Sequence, residues 1–167
     1  MSTTPLSALL TATLLLLGCH SSTPTEPSAT PTTVATTPVT DACQVLTPAE
    51  ITTVLAIPID PGQHIPKTST IMCGWAKTGV TSDSEFMLNF TTPDYFEKER
   101  DPHPRIIMTP APGIGDDAYY ITSQFGTSLL IEKGNSVISF TIRDKTIPSA
   151  QLMEKEKALG LKAATRL

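Results

Sequence analysis

The chain has 167 residues, with 12 Lys and Arg against 16 Asp and Glu and a formal net charge of −4. The acidic excess is mild and scattered and no basic stripe is present, which argues against nucleic-acid binding. Composition divides the chain into an apolar start, a Ser/Thr/Pro-rich stretch and a final segment long enough for one small domain able to bury about two-thirds of its unfolded surface.

The apolar start, residues 6–17, is diluted by Ser7, Thr11 and Thr13. It falls short of the roughly 20 apolar residues that a membrane-crossing helix needs, and reads as the core of a cleaved signal. It closes on Leu16-Leu17-Gly18-Cys19, which resembles the lipobox recognised by lipoprotein signal peptidase. The expectation is a signal peptide over residues 1–18, removed before Cys19, whose thiol then carries a diacylglycerol thioether and, with further acylation, palmitate-type chains that anchor it stably. One feature departs from the pattern: Met1-Ser2-Thr3-Thr4-Pro5 contains no Lys or Arg. His20, rather than Asp, follows Cys19. In a Gram-negative host this suits the outer membrane facing the periplasm; in a Gram-positive host the address is the outer face of the cell membrane.

Residues 19–40 read as the lipidated cysteine plus a tether. Glu26 is the only charge after His20, and Pro24, Pro27, Pro31 and Pro38 favour an extended polyproline conformation. Such a segment buries too little apolar surface to offset its ordering entropy. Its threonines are acceptors for O-glycosylation in an organism that performs it.

A single domain is expected over residues 41–167. Once Cys19 is assigned to lipid, Cys43 and Cys73 remain, and an even remainder in an oxidising compartment reads as a structural disulfide. It would tie the first helix to the first strand. Thr47-Pro48-Ala49-Glu50 is a helix start: Thr47 caps, Pro48 suits the first position and Glu50 completes a capping box. Ile51, Val54 and Leu55 form its apolar face, and the helix should stop near Ala56, before Pro58. Residues 57–67 contain three prolines and read as a loop.

Residues 71–77 read as a strand carrying Cys73 and Trp75. Residues 85–91 follow, with Phe86, Leu88 and Phe90 alternating to one face. Thr92-Pro93 opens a short helix over Tyr95 and Phe96. Residues 105–115 are Pro-rich loop, with 105–109 able to form a short edge strand. Residues 118–122, 128–133 and 136–143 read as three strands, the last two joined by the two-residue turn Gly134-Asn135. Residues 148–166 form a long charged helix with an apolar stripe over Leu152, Met153, Leu159, Ala163 and Leu167. Glu156 lies within that stripe without a local reason, and Gly160 costs about 1 kcal/mol relative to Ala mid-helix. The order predicts an α+β fold: an antiparallel sheet of about five strands flanked by helices, with a long C-terminal helix.

These features resemble an uncharacterised domain of bacterial lipoproteins, best known from actinobacteria. The resemblance rests on Asp41-Ala42-Cys43-Gln44-Val45-Leu46-Thr47-Pro48-Ala49-Glu50, on Cys73-Gly74-Trp75 and on the run from Pro112 through Gly113, Ile114, Gly115, Asp116, Asp117 and Ala118 to Tyr119-Tyr120. It implies a sheet sandwiched or backed by helices, akin to photosystem-protein-P-like folds. It implies no activity, and a fold alone supplies none.

A search for catalytic constellations yields little. Asp116-Asp117 is the nearest to paired carboxylates, but neighbours on a strand point to opposite faces and should not converge. After Gly113 and Gly115, turn formation is their commoner role. Asp101, His103 and Arg105 alternate with prolines, and His64 and His103 belong to no spaced metal motif. No nucleophile elbow, phosphate loop or zinc spacing is present, so no cofactor and no metal is expected. Tyr119 and Tyr120 should face opposite ways, leaving one exposed beside Ile114 as a candidate contact patch.

The leading expectation is a membrane-anchored extracytoplasmic lipoprotein whose small, non-catalytic domain binds an envelope protein, a glycan or an apolar ligand. An envelope enzyme assembled from Asp116, Asp117 and His103 is the alternative. A structural or apolar-ligand-carrying accessory is the third reading.

Overall fold

The computed structural model describes residues 38–80, 85–101, 104–124, 126–144 and 146–167. The helices are α1 (Ala42–Val45), α2 (Pro48–Leu55), α3 (Pro93–Lys98) and α4 (Ser149–Ala164). The strands are β1 (Gln63–His64), β2 (Met72–Trp75), β3 (Phe86–Thr91), β4 (Ile107–Pro110), β5 (Asp117–Ser123), β6 (Gly126–Lys133) and β7 (Ser136–Ile142). All seven belong to one antiparallel sheet in the order β1-β2-β3-β7-β6-β5-β4. The α+β expectation holds, and the expectation of about five strands is too low. The two outermost strands make the difference. β1 lies in the stretch expected to be loop, and β4 ends at Pro110; both are short edges, where proline is tolerated because one side of the ladder needs no donor.

Local chemistry explains where the helices begin. The Asp41 carboxylate accepts from the Cys43 amide at 2.9 Å and starts α1, a single turn that the sequence pattern did not reveal. The capping box of α2 is formed as expected: Thr47 Oγ1 accepts from the Glu50 amide and Glu50 Oε2 accepts from the Thr47 amide. The helix stops at Ala56, which turns left-handed with φ 60°.

The sheet consists of two meanders. β1-β2-β3 and β4-β5-β6-β7 are joined side by side through β3 and β7, with Leu88 opposite Phe140. The β6–β7 hairpin turns at Gly134-Asn135, between the paired residues Lys133 and Ser136. Gly134 has φ 58°, the conformation such a turn requires.

One sheet face carries Trp75, Phe86, Leu88, Tyr120, Leu129, Ile131, Ile138 and Phe140, all buried in one cluster with α1, α2 and α4. Trp75, Phe86 and Phe140 form a ladder of tilted rings with centroids 5.2 and 5.5 Å apart. Each fully buried Leu, Ile or Phe contributes about 1.5–3 kcal/mol relative to an exposed one. Gly160 has its reason here. A Cβ at this position would meet Leu129 Cδ2 at 2.8 Å and Ile131 Cδ1 at 3.1 Å, so glycine lets α4 lie close on β6.

Polar grips lock the helices together. Lys155 Nζ donates to the Val54 carbonyl at 2.8 Å, and Arg166 donates to Glu50 and to the Val45 carbonyl. The Arg166 guanidinium holds the Glu50 carboxyl down at about 2. The predicted Cys43–Cys73 disulfide is present and ties α1 to β2. No helix among the described residues is long and apolar enough to cross a membrane.

Candidate functional site

The opposite sheet face is thinly covered. Tyr119, Leu130 and Val137 are buried there with Phe96 of α3, and Met108 and Ile121 pack at the side. α3 is placed by its cap: Thr92 Oγ1 accepts from the Tyr95 amide at 3.1 Å, and Pro93 occupies the first turn. Phe96 then points down onto Tyr119, ring centroids 4.8 Å apart, and the Tyr119 hydroxyl donates to the Phe96 carbonyl. Just beyond the helix, Arg100 lays its guanidinium 4.9 Å from the Phe96 ring centre and 5.1 Å from that of Tyr119. The same guanidinium pairs with Asp117 at the start of β5.

Beside this stack lies a pocket of about 490 Å³, within the range of small-molecule sites. Ile106, Met108, Pro110, Ala118 and Tyr119 make its walls apolar, and the Arg100–Asp117 pair supplies its polar corner. Burial raises the Tyr119 phenol to about 12, so it stays protonated and donates. Arg100 is raised, chiefly by its bond to Asp117. Among the described residues the walls offer no serine, cysteine or histidine. The arrangement can bind and orient, and the described residues of its walls supply no nucleophile–base pair.

The structure separates the residues singled out in the sequence. Asp116 and Asp117 do not converge. Asp116 accepts from the Gly134 amide at 2.8 Å and from Lys133 at 2.6 Å, latching the β6–β7 turn, while Asp117 faces Arg100. The preceding glycines act as turn formers: a Cβ on Gly115 would lie 2.4 Å from the Glu132 carbonyl oxygen. The exposed patch of Ile114 with Tyr119 or Tyr120 does not exist as expected. Ile114 is 1% exposed, Tyr119 4% and Tyr120 5%. The two tyrosines do face opposite ways, but both faces of the sheet are covered, Tyr119 by α3 and Arg100, Tyr120 by α4, where its hydroxyl donates to the Met153 carbonyl at 3.1 Å. Tyr119 retains a part in the site as a pocket wall. Cys19 and His103 lie outside the described residues. Sequence reasoning missed Arg100, whose only signal is its place one turn after an aromatic on a short helix.

Two further clusters carry titratable groups. Glu156 of α4 is fully buried on the thick side of the sheet. The Thr127 hydroxyl and the Ile142 backbone lie close enough to favour its charged form slightly, yet neither completes a well-formed hydrogen bond to it. Burial dominates and pushes the carboxyl up to about 8, so it is largely protonated at neutral pH. At the other end of the sheet, His64 Nε2 lies 2.8 Å from Asp41 Oδ1, and this contact lowers the Asp41 carboxyl. Ligand atoms of Asp41, Cys43 and His64 all fall within 4.8 Å of one another, with the Cys43 sulfur committed to the disulfide.

No protein-family model, curated protein or solved structure matches the chain.

Proposed function

We propose that this chain is a membrane-anchored extracytoplasmic lipoprotein of the bacterial type it resembles, and that its domain binds an apolar ligand without transforming it. The address rests on the lipobox at Cys19, the Ser/Thr/Pro tether behind it and a disulfide of the kind oxidising compartments favour. The observation that carries the binding function is the pocket beside Arg100. Its apolar walls give affinity by desolvation, and the Arg100–Asp117 ion pair gives orientation to one polar end of the occupant. The occupant is therefore an apolar molecule or acyl-like chain with one hydrogen-bonding head. The binding reading is preferred to an enzyme built on Asp116, Asp117 and His103 because Asp116 is held by Lys133 and Asp117 by Arg100.

The experiment is titration of an apolar fluorescent probe into the full chain and into Ile106→Trp, which narrows the pocket from a partly exposed wall position. Probe binding by the wild type and at least about tenfold weaker binding by the variant, at equal thermal stability, is the expected result. Equal binding by both would sink the assignment. Metabolic fatty-acid labelling beside Cys19→Ala tests the address; label in neither form removes the anchor.

A further inference from the structure

Three groups with metal-ligand chemistry meet where α1 packs on β1 and β2, and a fourth adjoins them. The Asp41 carboxylate, the Cys43 sulfur and the His64 ring present ligand atoms within 4.8 Å of one another. Cys73 is the adjoining fourth, outside that 4.8 Å set and linked to it through Cys43. Its sulfur is bonded to that of Cys43, and it stands directly opposite His64 in the β1–β2 ladder, so both side chains leave the sheet on the same face. The corner is held from outside: a Cβ on Gly62 would lie 2.6 Å from the Cys73 sulfur, which shows how closely the β1 segment presses on it. Asp41 is fixed by its bond to the Cys43 amide, and His64 by its bond to Asp41.

Two sulfurs, an imidazole nitrogen and a carboxylate oxygen are donors that zinc accepts in tetrahedral sites. In the oxidised protein the sulfurs bind each other and neither is a thiolate. We propose that reduction of the Cys43–Cys73 disulfide converts this corner into a zinc site, ligated by both thiolates, His64 Nε2 and an Asp41 oxygen.

The reductant is a dithiol. Its thiolate attacks one sulfur of the pair and breaks the Cys43–Cys73 bond. Its second thiol then resolves the mixed disulfide, so the donor leaves oxidised. Two electrons and two protons reach the protein as two thiols. Zinc binding releases both protons to solvent, because the ligands are thiolates. Cys43 is the half-buried sulfur-bearing residue and Cys73 the fully buried one, so attack at Cys43 is the open route. The sulfurs must part to about 3.8 Å to share a zinc at the usual bond lengths. Rotation of the Cys43 side chain within a one-turn helix supplies that movement, and zinc enters between His64 and Asp41. Disulfide and zinc thereby become alternative closures of the same loop between α1 and β2.

The test uses the full chain, reduced by a dithiol, freed of reductant by anaerobic gel filtration and titrated with Co²⁺. The expected result is one bound Co²⁺ with the intense visible bands of a tetrahedral thiolate complex, displaced by Zn²⁺, and none in the oxidised chain. His64→Gln and Asp41→Asn should each weaken binding at least about tenfold, the scale typical even of outer-shell changes. The absence of a tetrahedral spectrum, or unchanged affinity in His64→Gln, overturns the proposal. Should the reduced chain lose its native circular dichroism, one equivalent of zinc must restore it. A chain that stays unfolded with zinc present overturns the proposal equally.

Discussion

The two faces of the sheet are covered unequally. One is sealed by three helices, a ring ladder and a disulfide; the other is covered by the six-residue α3 and the Arg100 side chain. Nearly all large apolar side chains lie on the first face, so stability concentrates there. The second face keeps its pocket because its cover is too short to reach β4. The same sheet thus carries a thick structural side and a thin side on which a ligand can be accommodated without dismantling the core.

The contrast can be broken most forcefully from the thick side. Phe140→Ala should lower unfolding free energy by about 3–5 kcal/mol, while Leu130→Ala on the thin side should lose only about 2, since a single short helix can settle into the space. Urea denaturation compares them, and equal losses would mean both layers pack alike. Joint replacement of Cys43 and Cys73 by serine should cost about 3–4 kcal/mol for a sequence separation of 30. A loss below about 1 kcal/mol would show that the loop is held by packing alone.

The next effect depends on pH. Burial pushes the folded Glu156 carboxyl up to about 8 from the ordinary 4.5, so the folded chain keeps a proton that the unfolded chain releases. Its favourable contribution is complete below about pH 4.5 and declines as pH rises to about 8, by on the order of a few kcal/mol. Glu50 acts in the other direction. Its folded value of about 2 gives stability that is present above 4.5 and lost as pH falls towards 2. Thermal melts across pH should therefore peak on the mildly acidic side. Glu156→Gln should flatten the alkaline decline and raise stability at pH 8 by about 1–3 kcal/mol; an unchanged slope would refute the burial argument. The smallest effects come from the two tyrosine hydroxyls, with Tyr119→Phe costing about 1 kcal/mol. It should exceed Tyr120→Phe, because the Phe96 carbonyl belongs to a last helical turn and lacks an intrahelical donor, whereas Met153 lies inside α4.

Features set by neighbouring residues were legible in the sequence. The Thr47–Glu50 box, the Gly134-Asn135 turn, the inward alternation of Ile138, Phe140 and Ile142, and the cysteine pair all rest on local spacing or simple counting. Features set by distant partners were not. β1 is two residues in a proline-rich stretch and exists because β2 offers it a ladder. Tyr119 and Tyr120 looked half exposed because strand alternation says which side a residue faces and nothing about what covers it. Glu156 looked anomalous in an apolar stripe and proves to be buried and largely protonated. The pocket depends on Arg100 reaching Tyr119 and Asp117 across sequence gaps that carry no pattern.

The Val39 amide donates to the Arg166 carbonyl at 3.0 Å, so the polypeptide reaches and leaves the folded unit at one point. The domain can accordingly be handled as a pendant. A linker of a few residues should join the two ends into a circular permutant opened at the exposed Gly134-Asn135 turn, or graft the unit into a surface loop of a host protein without prising the host apart.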